Sequence, residues 1–499
     1  MDVPGEVRET AGREGISRVA GRMFKTSNAK MCFLRRMFEN ARRAAFATLA
    51  SASIARPRRG ARARGTTGTR ATTARDADGR DRRAPRAAYV HLPFCRSRCY
   101  YCDFAISVVG RAGETRRDVD AAMRRYGAAT RAEVAATARA MRANGALDAS
   151  APLETVFFGG GTPSLMPADE IKAILGSLRE AFGLAADAEV SAEMDPGTFD
   201  EEKLRAFLAA GVNRVSLGVQ SFDDGVLQRA GRSHDARAAE EAIDTLRRCG
   251  VPRWSADLIS GLPGVDAKTW RTSLERVIEA GADHVSVYDL QVERGTAFYR
   301  WYGENAGKDK KEGLPSEDAS AAMFRDASAT LGAAGYEHYE VSSYAKPGAR
   351  CKHNQIYWEN AGWYGFGLSA TSHVNGERVA RPRKMNEYYA YVEALERGEN
   401  VGTVSSGGDG SDALFEHIML RLRTSDGLDL GNVSRRFGDH VVEEIREAMG
   451  PFVPEFAEYT VAADSSPAAL RLTDPEGFLV STAVLSTLIS KMPSLEDDE

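Results

Sequence analysis

The stretch YVHLPFCRSRCYYCDF, residues 89–104, contains three closely spaced cysteines: Cys95, Cys99 and Cys102. Their spacing is C-x3-C-x2-C, and the loop contains no fourth cysteine. Proteins that bind a [4Fe–4S] cube usually hold each iron with a cysteine thiolate. Three thiolates would therefore leave one iron open to another ligand. A zinc site is the alternative, but structural zinc usually needs four ligands in paired knuckles, and the remaining cysteines form no second C-x2-C.

The composition is that of a globular protein with an unusual charge distribution. The 499 residues are 43% hydrophobic, which suits two domains plus extensions. No apolar run reaches the ~18–20 residues that a membrane span needs. The formal net charge is −4, yet residues 31–75 carry eleven arginines and one acidic residue, so this segment has +10 and the rest about −14. An acidic remainder disfavours a phosphate-binding surface and hence nucleic acid as a partner.

The basic segment has the composition of an organelle transit peptide, rich in arginine, alanine, serine and threonine. We predict that residues 1–83 are a transit peptide and disordered basic chain directed to a mitochondrion or chloroplast. A basic tail that binds nucleic acid and a cytoplasmic location are the alternatives. Four acidic residues among the first thirty are unusual in a presequence, so a start at Met31 or Met37 rather than Met1 is a further hypothesis.

From Tyr89 onward, short apolar runs alternate with helical stretches. The predicted strands are residues 89–92, 153–158, 189–193, 214–219, 253–259, 284–288 and 338–341. Such alternation predicts parallel strands joined by helices. About six βα units are too few for an eight-stranded barrel, so the predicted fold class is α/β, a partial (β/α)6 barrel. Chemistry in such folds lies at the carboxyl ends of the strands.

The remaining chain divides by composition. We predict a barrel over 84–345, a connecting region over 346–400, a Ser/Gly-rich linker over 401–411 and a small α+β domain over 412–499. Within the last unit, the pattern predicts helices at 414–422 and near 431–449 and a hairpin-like end around 470–481.

Several polar or glycine-rich motifs follow the predicted strands. The turn of Gly160, Gly161 and Thr162 could bring backbone amides close to a ligand. Glu193 and Asp257 each end a strand, where a carboxylate can accept hydrogen bonds from a ribose or an ammonium group. Each motif alone is equally consistent with an ordinary turn, helix cap or salt bridge. Their common position at one rim indicates a ligand site.

The motifs taken together resemble the HemN/HemW family of radical S-adenosylmethionine (SAM) proteins. The resemblance spans Tyr89 to about residue 480 and is carried by YVHLPFCRSRCYYCDF, FFGGGTPSL, EMDPGT, RVSLGVQSF, GRSH, DLISGLPG, HNQIYW and a HemN-type C-terminal stretch, EHIMLRLRTSDGL. In this family the open iron of a [4Fe–4S] cluster chelates SAM, and an electron from the cluster cleaves it to a 5′-deoxyadenosyl radical. The resemblance implies cluster ligation by Cys95, Cys99 and Cys102. It implies SAM contacts from Tyr89, Tyr101, Gly160, Gly161, Thr162, Glu193, Gln220, Arg232 and Asp257.

Two features resemble the heme-chaperone branch, HemW, rather than the oxidase branch. The oxidase motif has an additional cysteine two residues after the third ligand, where this chain has Phe104. The HemW branch also carries an H-N-x-x-Y-W element implicated in heme binding, found here as HNQIYW from His353 to Trp358. Imidazole is a natural axial ligand of heme iron, and tyrosine and tryptophan can stack on a porphyrin. His353 is thus the predicted heme ligand; a structural histidine is the alternative, and Cys351 is a second candidate.

The resemblance implies a heme chaperone that holds a [4Fe–4S] cluster and SAM and delivers heme to acceptor hemoproteins. No residue is assigned a catalytic role, and whether the protein is an enzyme stays open. An oxygen-independent coproporphyrinogen III oxidase is the main alternative; a radical SAM enzyme acting on RNA is disfavoured by the acidic charge. Expected partners are an electron donor such as a ferredoxin or flavodoxin and a second copy in a homodimer, with peripheral membrane association as a further expectation.

Overall fold

The computed structural model describes residues 84–110, 114–143, 151–303, 306, 311, 313–399, 410–461 and 467–492. The predicted transit peptide and almost all of the predicted linker lie outside these residues. Within the described ranges, no helix combines the length and apolar character that crossing a bilayer requires.

The described chain contains sixteen strands and fifteen α-helices. The strands are β1 (Ala87–Leu92), β2 (Phe94–Cys95), β3 (Ser107–Val108), β4 (Leu153–Gly160), β5 (Leu184–Met194), β6 (Arg214–Gln220), β7 (Arg253–Ser260), β8 (His284–Asp289), β9 (Glu337–Glu340), β10 (Ser343–Ala345), β11 (Trp363–Phe366), β12 (Thr371–Val374), β13 (Glu377–Ala380), β14 (Leu428–Asp429), β15 (Ala457–Val461) and β16 (Pro467–Leu472). The helices are α1 (Arg116–Ala143), α2 (Ala168–Phe182), α3 (Glu201–Ala210), α4 (Asp224–Ala230), α5 (Ala236–Cys249), α6 (Ala267–Glu279), α7 (Ala297–Tyr302), α8 (Glu317–Ala333), α9 (Lys352–Trp358), α10 (Met385–Glu396), α11 (Gly410–Arg421), α12 (Leu430–Phe437), α13 (Asp439–Met449), α14 (Glu476–Leu479) and α15 (Ser481–Ser490).

One eleven-stranded sheet, in the order β13-β12-β11-β1-β4-β5-β6-β7-β8-β10-β9, forms the barrel. The six strands β1, β4, β5, β6, β7 and β8 are parallel neighbours, as the sequence predicted. β11 extends this parallel set by pairing with β1, with Trp363 opposite Ala87. The outer strands at both ends pair antiparallel. The predicted partial barrel is therefore present, with additional strands on each side.

Alternate residues of the barrel strands differ sharply in character. Residues that face the helices are apolar and fully buried, such as Val156, Val215 and Leu217. They pack against helix stripes of the kind formed by α2, where buried apolar residues recur every three or four positions. Residues that face the barrel interior, such as Ser255 and Asp257, are polar. Apolar side chains such as Phe157 and Ile259 also line this space, but it is not filled as the interior of a closed barrel usually is, and a cavity remains.

The strand predicted at 338–341 is present as β9, but it lies at an antiparallel edge instead of continuing the parallel series. Only Val341 and Ser342 separate β9 from β10. A parallel connection needs a crossover of a dozen or more residues, so a link this short can only reverse the chain.

Two predictions in the C-terminal part were wrong. The helix expected near 431–449 is divided into α12 and α13, because Gly438 has φ 101° and interrupts the helical path. The hairpin expected around 470–481 is formed earlier, by β15 and β16. Residues 476–490 are largely helical, and Val484, Leu485 and Leu488 enter the core with helical spacing.

The C-terminal helices pack around a three-stranded sheet, β14-β16-β15, and form a second hydrophobic core. Trp358 of α9 belongs to this core. Polar contacts join the two parts: the Arg325 guanidinium donates to Glu476 at 2.6 and 2.8 Å, and the Val341 amide donates to the Arg423 carbonyl at 3.0 Å. This α+β unit therefore packs directly on the barrel side of α8 and β9.

Candidate functional site

A cavity of about 1020 Å3 occupies the barrel interior. This volume is at the upper end of the ~300–1,000 Å3 typical of small-molecule sites. Twelve of the thirteen predicted site residues line it: Tyr101, Gly160, Gly161, Thr162, Glu193, Gln220, Arg232, Asp257, His353, Cys95, Cys99 and Cys102. The exception is Tyr89. The residues predicted from the sequence therefore lie together around this cavity.

The cysteine loop follows β2 and is held by backbone contacts on several sides. The Tyr100 amide donates to the Ala230 carbonyl at 3.0 Å, and the Val109 amide donates to the Cys95 carbonyl at 3.0 Å. Buried His91 donates through Nε2 to the Ala105 carbonyl at 2.9 Å. His91 therefore supports the loop from below, as expected for a structural histidine, and its burial lowers its pKa to about 4.

The three thiols have surroundings that suit a cluster. Thr162 Oγ1 lies 3.5 Å from Cys95 Sγ, and Arg232 Nη1 lies 3.5 Å from Cys99 Sγ, so two donors point at sulfur. Burial raises the pKa of Cys95 and of Cys102 to about 12, so iron would have to displace their protons.

The chemistry of the three cysteine donors suits an iron–sulfur cluster. Within the described residues, no three His, Cys, Asp or Glu side chains lie close enough to hold a single metal ion. A cube assigns each thiolate to a different iron. Three thiols that line one cavity therefore fit a [4Fe–4S] cluster, which supplies one-electron chemistry and one open iron.

The three consecutive glycines at the end of β4, residues 159–161, allow this strand to pack closely against the cysteine loop. Gly160 has φ 107°, and a Cβ there would lie 2.2 Å from His91 Nδ1. A Cβ on Gly161 would lie 2.7 Å from the Phe94 carbonyl oxygen. The amides of Gly160, Gly161 and Thr162 donate to Glu193 Oε2, the Leu92 carbonyl and the Phe94 carbonyl at 2.8, 2.9 and 2.7 Å. The sequence suggested that these amides contact a ligand; here they are engaged within the protein, and the glycines permit close packing.

Two half-buried carboxyl groups face the cavity. Burial raises the pKa of Glu193 to about 8; the Gly160 amide opposes this shift and nearby Asp257 adds to it. Burial also raises the pKa of Asp257 to about 6, while three serines, among them Ser216, oppose the shift. Ser216 donates to Asp257 Oδ2 at 2.8 Å, whereas Oδ1 has no hydrogen-bond partner within the described chain. Such a buried acceptor is suited to a hydroxyl or ammonium group of a ligand.

Arg232 connects the cysteine loop to the neighbouring strands. It donates to Tyr101 Oη at 3.2 Å and to the Gly218 carbonyl at 2.8 Å, and it forms an ion pair with Asp195. Asp195 was quoted in the EMDPGT motif but not assigned a role, although its place directly after β5 was a usable signal. Gln220 ends β6 with φ 66°, and its Oε1 has no partner among the described residues. A left-handed backbone at a residue other than glycine, together with an unsatisfied side-chain oxygen, is typical of a ligand site.

His353 lies in the first turn of α9, beside the amino-terminal half of β4. Its ring is buried and hydrogen-bonded on both sides: Nδ1 is 2.7 Å from Thr155 Oγ1 and Nε2 is 2.7 Å from Tyr357 Oη. It stacks on Phe157 at 5.2 Å between ring centres. Burial lowers the pKa of His353 to about 3, so the ring is neutral. Because His353 lines the same cavity as the cysteines, the two predicted sites share one internal space.

Tyr89 and Cys351 occupy other surroundings. Tyr89 is buried in β1; its hydroxyl lies 3.2 Å from His91 Nδ1, and its ring stacks on Phe157. It supports the cavity wall from behind. Cys351 lines the cavity, but its Sγ lies 3.7 Å from Glu189 Oε1 and burial raises its pKa to about 12. The Glu189 carboxylate adds to this rise, whereas Cys95 and Cys99 each have a hydrogen-bond donor 3.5 Å from sulfur, so Cys351 is less suited to iron than the loop thiols.

Comparison with protein families and known proteins agrees with this geometry. A model of the radical SAM superfamily matches residues 89–277. The heme chaperone HemW of Synechocystis sp. is 38% identical over 437 residues, covering 83% of this chain and 98% of that protein. HemW of Mycobacterium tuberculosis is 36% identical, covering 70% and 84%. The mitochondrial radical S-adenosyl methionine domain-containing protein 1 of Bos taurus is 34% identical, covering 68% and 74%.

Among solved structures, the coproporphyrinogen III oxidase HemN of Escherichia coli is similar with a TM-score of 0.65 and 22% identity, covering 83% of this chain and 92% of that one. At this identity the likeness concerns the fold alone. It supports the partial barrel and its C-terminal extension.

Proposed function

The chain belongs to the HemW family of radical SAM proteins, and on this premise we propose that it is a heme chaperone. It would hold one [4Fe–4S] cluster and SAM, bind heme, and transfer the heme to acceptor hemoproteins. The observation that carries the proposal is the single cavity of about 1020 Å3 that contains both the cysteine loop and the HNxxYW element.

We assign the cofactors to this cavity. Cys95, Cys99 and Cys102 would hold the cluster. Glu193 and Asp257 would bind SAM. Six of the other predicted SAM contacts line the same cavity, whereas Tyr89 supports its wall from behind. His353 would supply an imidazole nitrogen to the heme iron, because its neutral ring lines the cavity.

Two features favour a chaperone over an oxidase of coproporphyrinogen, a substrate with four carboxylates. Phe104 lines the cavity at the position where the oxidase branch has its additional cysteine. Among the described residues that line the cavity, eight are acidic and four are arginines, so ionised carboxylates outnumber arginines even when Glu193 is protonated. A tetracarboxylate would meet more like charge there than heme, which has two carboxylates.

Two assays on the reconstituted, anaerobic protein test the proposal. Titration with hemin should give a Soret band, and the heme should pass to a heme-free b-type cytochrome. Incubation with SAM, a reductant and coproporphyrinogen should yield no protoporphyrinogen; catalytic turnover would overturn the chaperone function. Cys95→Ser should abolish the cluster absorbance, whereas Cys249→Ser, a change in α5 outside the cavity lining, should retain it.

We also propose that the protein works inside an organelle. Its relatives include a mitochondrial protein of Bos taurus, and the arginine-rich residues 31–75 have transit-peptide composition. Fusion of residues 1–83 to a fluorescent protein should direct it to mitochondria or chloroplasts. Diffuse cytoplasmic fluorescence would contradict the proposal.

Two partners complete the proposal. A ferredoxin or flavodoxin would supply electrons to the cluster, and a second copy would form a homodimer. The chain has a mass of 54.1 kDa, and sedimentation of the cluster-loaded protein should give twice that mass. A monomer at all concentrations would refute dimerisation. Anaerobic reduction of the cluster by reduced flavodoxin, followed by absorbance, tests the donor.

A further inference from the structure

Both ring nitrogens of His353 are occupied. Nδ1 and Nε2 are each 2.7 Å from a hydroxyl, of Thr155 and Tyr357 respectively. An imidazole binds iron through the lone pair of one nitrogen, so one of these hydrogen bonds must break before heme can be ligated. The structure indicates which one.

The two hydroxyls lie on different sides of the ring. Thr155 is fully buried in β4, a central strand between β1 and β5, and does not line the cavity. Tyr357 does line the cavity and lies one turn beyond His353 on the same short helix. Nδ1 is therefore directed at the rigid sheet, and Nε2 is directed at the side from which a ligand would approach.

We propose that Tyr357 acts as a latch, meaning that its hydroxyl occupies Nε2 of His353 until heme iron displaces it. Thr155 is the positioning residue that keeps the lone pair on Nε2. This inference rests on the proposed heme binding. When Thr155 accepts a hydrogen bond from Nδ1–H, the lone pair stays on Nε2, and the Tyr357 hydroxyl donates to it. Arriving heme iron takes the place of the Tyr357 proton donor. A bond from Nδ1–H to a fixed acceptor is the usual arrangement behind an iron-bound histidine.

The latch makes a quantitative prediction. Loss of one buried neutral hydrogen bond that competes with the iron should tighten heme binding about 3- to 10-fold. Tyr357→Phe keeps the aromatic ring, whose centre lies 4.7 Å from that of Trp363 in an edge-on contact, so the variant should fold normally. Tyr336→Phe is the matched control: it also removes one buried tyrosine hydrogen bond, 2.6 Å to the Ala282 carbonyl, outside the cavity lining.

The experiment is a hemin titration of the full chain followed by the Soret band. Tyr357→Phe should bind hemin about 3- to 10-fold more tightly, and Tyr336→Phe should bind like the unmodified protein. This gain in hemin affinity should be absent when Tyr357→Phe is combined with His353→Ala, because the effect of Tyr357 acts through His353. Equal or weaker binding by Tyr357→Phe would overturn the latch.

Thr155→Val tests the positioning role separately. It should weaken binding and shift the Soret maximum and low-spin fraction, since the iron-bound ring loses its acceptor; an unchanged spectrum would overturn this part. If the unmodified protein binds no hemin, the proposed function fails and the latch fails with it. If it binds through His353 with no gain in Tyr357→Phe, only the latch fails.

Discussion

Gly160→Ala should destabilise the barrel strongly, because the added methyl group meets both a backbone and a packing conflict. Gly160 has φ 107°, which costs a residue with a side chain about 1–3 kcal/mol. Its Cβ would lie 2.2 Å from His91 Nδ1, and overpacking of this kind costs about 1–3 kcal/mol. The free energy of unfolding should therefore fall by about 2–6 kcal/mol.

Urea denaturation of the apoprotein, followed by circular dichroism, measures this loss. Gly176→Ala is the matched control, because Gly176 lies in α2 and a Cβ added there would have no atom within 4 Å. That change should be neutral or stabilise by about 0.5–1 kcal/mol. Displacement of His91 would also release the Ala105 carbonyl of the cysteine loop, so Gly160→Ala should retain less cluster after reconstitution. Equal midpoints for the two variants would refute the packing argument.

Two further changes have defined outcomes. Arg381→Ala leaves buried Glu133 without its ion-pair partner at 2.8 Å and should lower the free energy of unfolding by about 3–5 kcal/mol. Arg205→Ala, which removes an exposed ion pair with Glu201, should lower it by less than about 1 kcal/mol. Urea denaturation compares the two variants, and similar losses would contradict this assignment. The pKa of Glu193 is about 8, above its ordinary 4.5, so the folded state keeps a proton that the unfolded state releases. Apoprotein stability should therefore fall as pH rises from about 4.5 to about 8, and Glu193→Gln should flatten this dependence in urea titrations at several pH values.

The sequence predicted the parts of the fold that depend on local pattern. Short apolar runs followed by turn residues located the six central strands, and the carboxyl-end rule placed Glu193 and Asp257 at one cavity. The pairing of β11 with β1 was not predicted, because Trp363–Phe366 has no local signal that identifies a partner so distant in the chain. Strand pairing between distant segments depends on tertiary packing.

The residue types of the candidate site were expected from its motifs, but the hydrogen bonds among those residues were not. The position of His353 in the cavity agrees with its motif, yet nothing in HNQIYW reveals that Thr155 and Tyr357 occupy its nitrogens. In the same way, the glycine motif does not reveal that the amides of Gly160 and Gly161 already donate hydrogen bonds within the protein. Both facts arise from contacts between separate strands, which a motif does not encode.

The position of β1 has a consequence for synthesis of the protein. β1 is the first strand of the sheet to leave the ribosome, but one of its edges pairs with β11, about 270 residues later in the chain. At about 5–20 residues per second, that edge would wait roughly 15–55 s for its partner. An unpaired apolar edge is a template for aggregation, so the nascent chain should need chaperone protection until Phe366 has emerged.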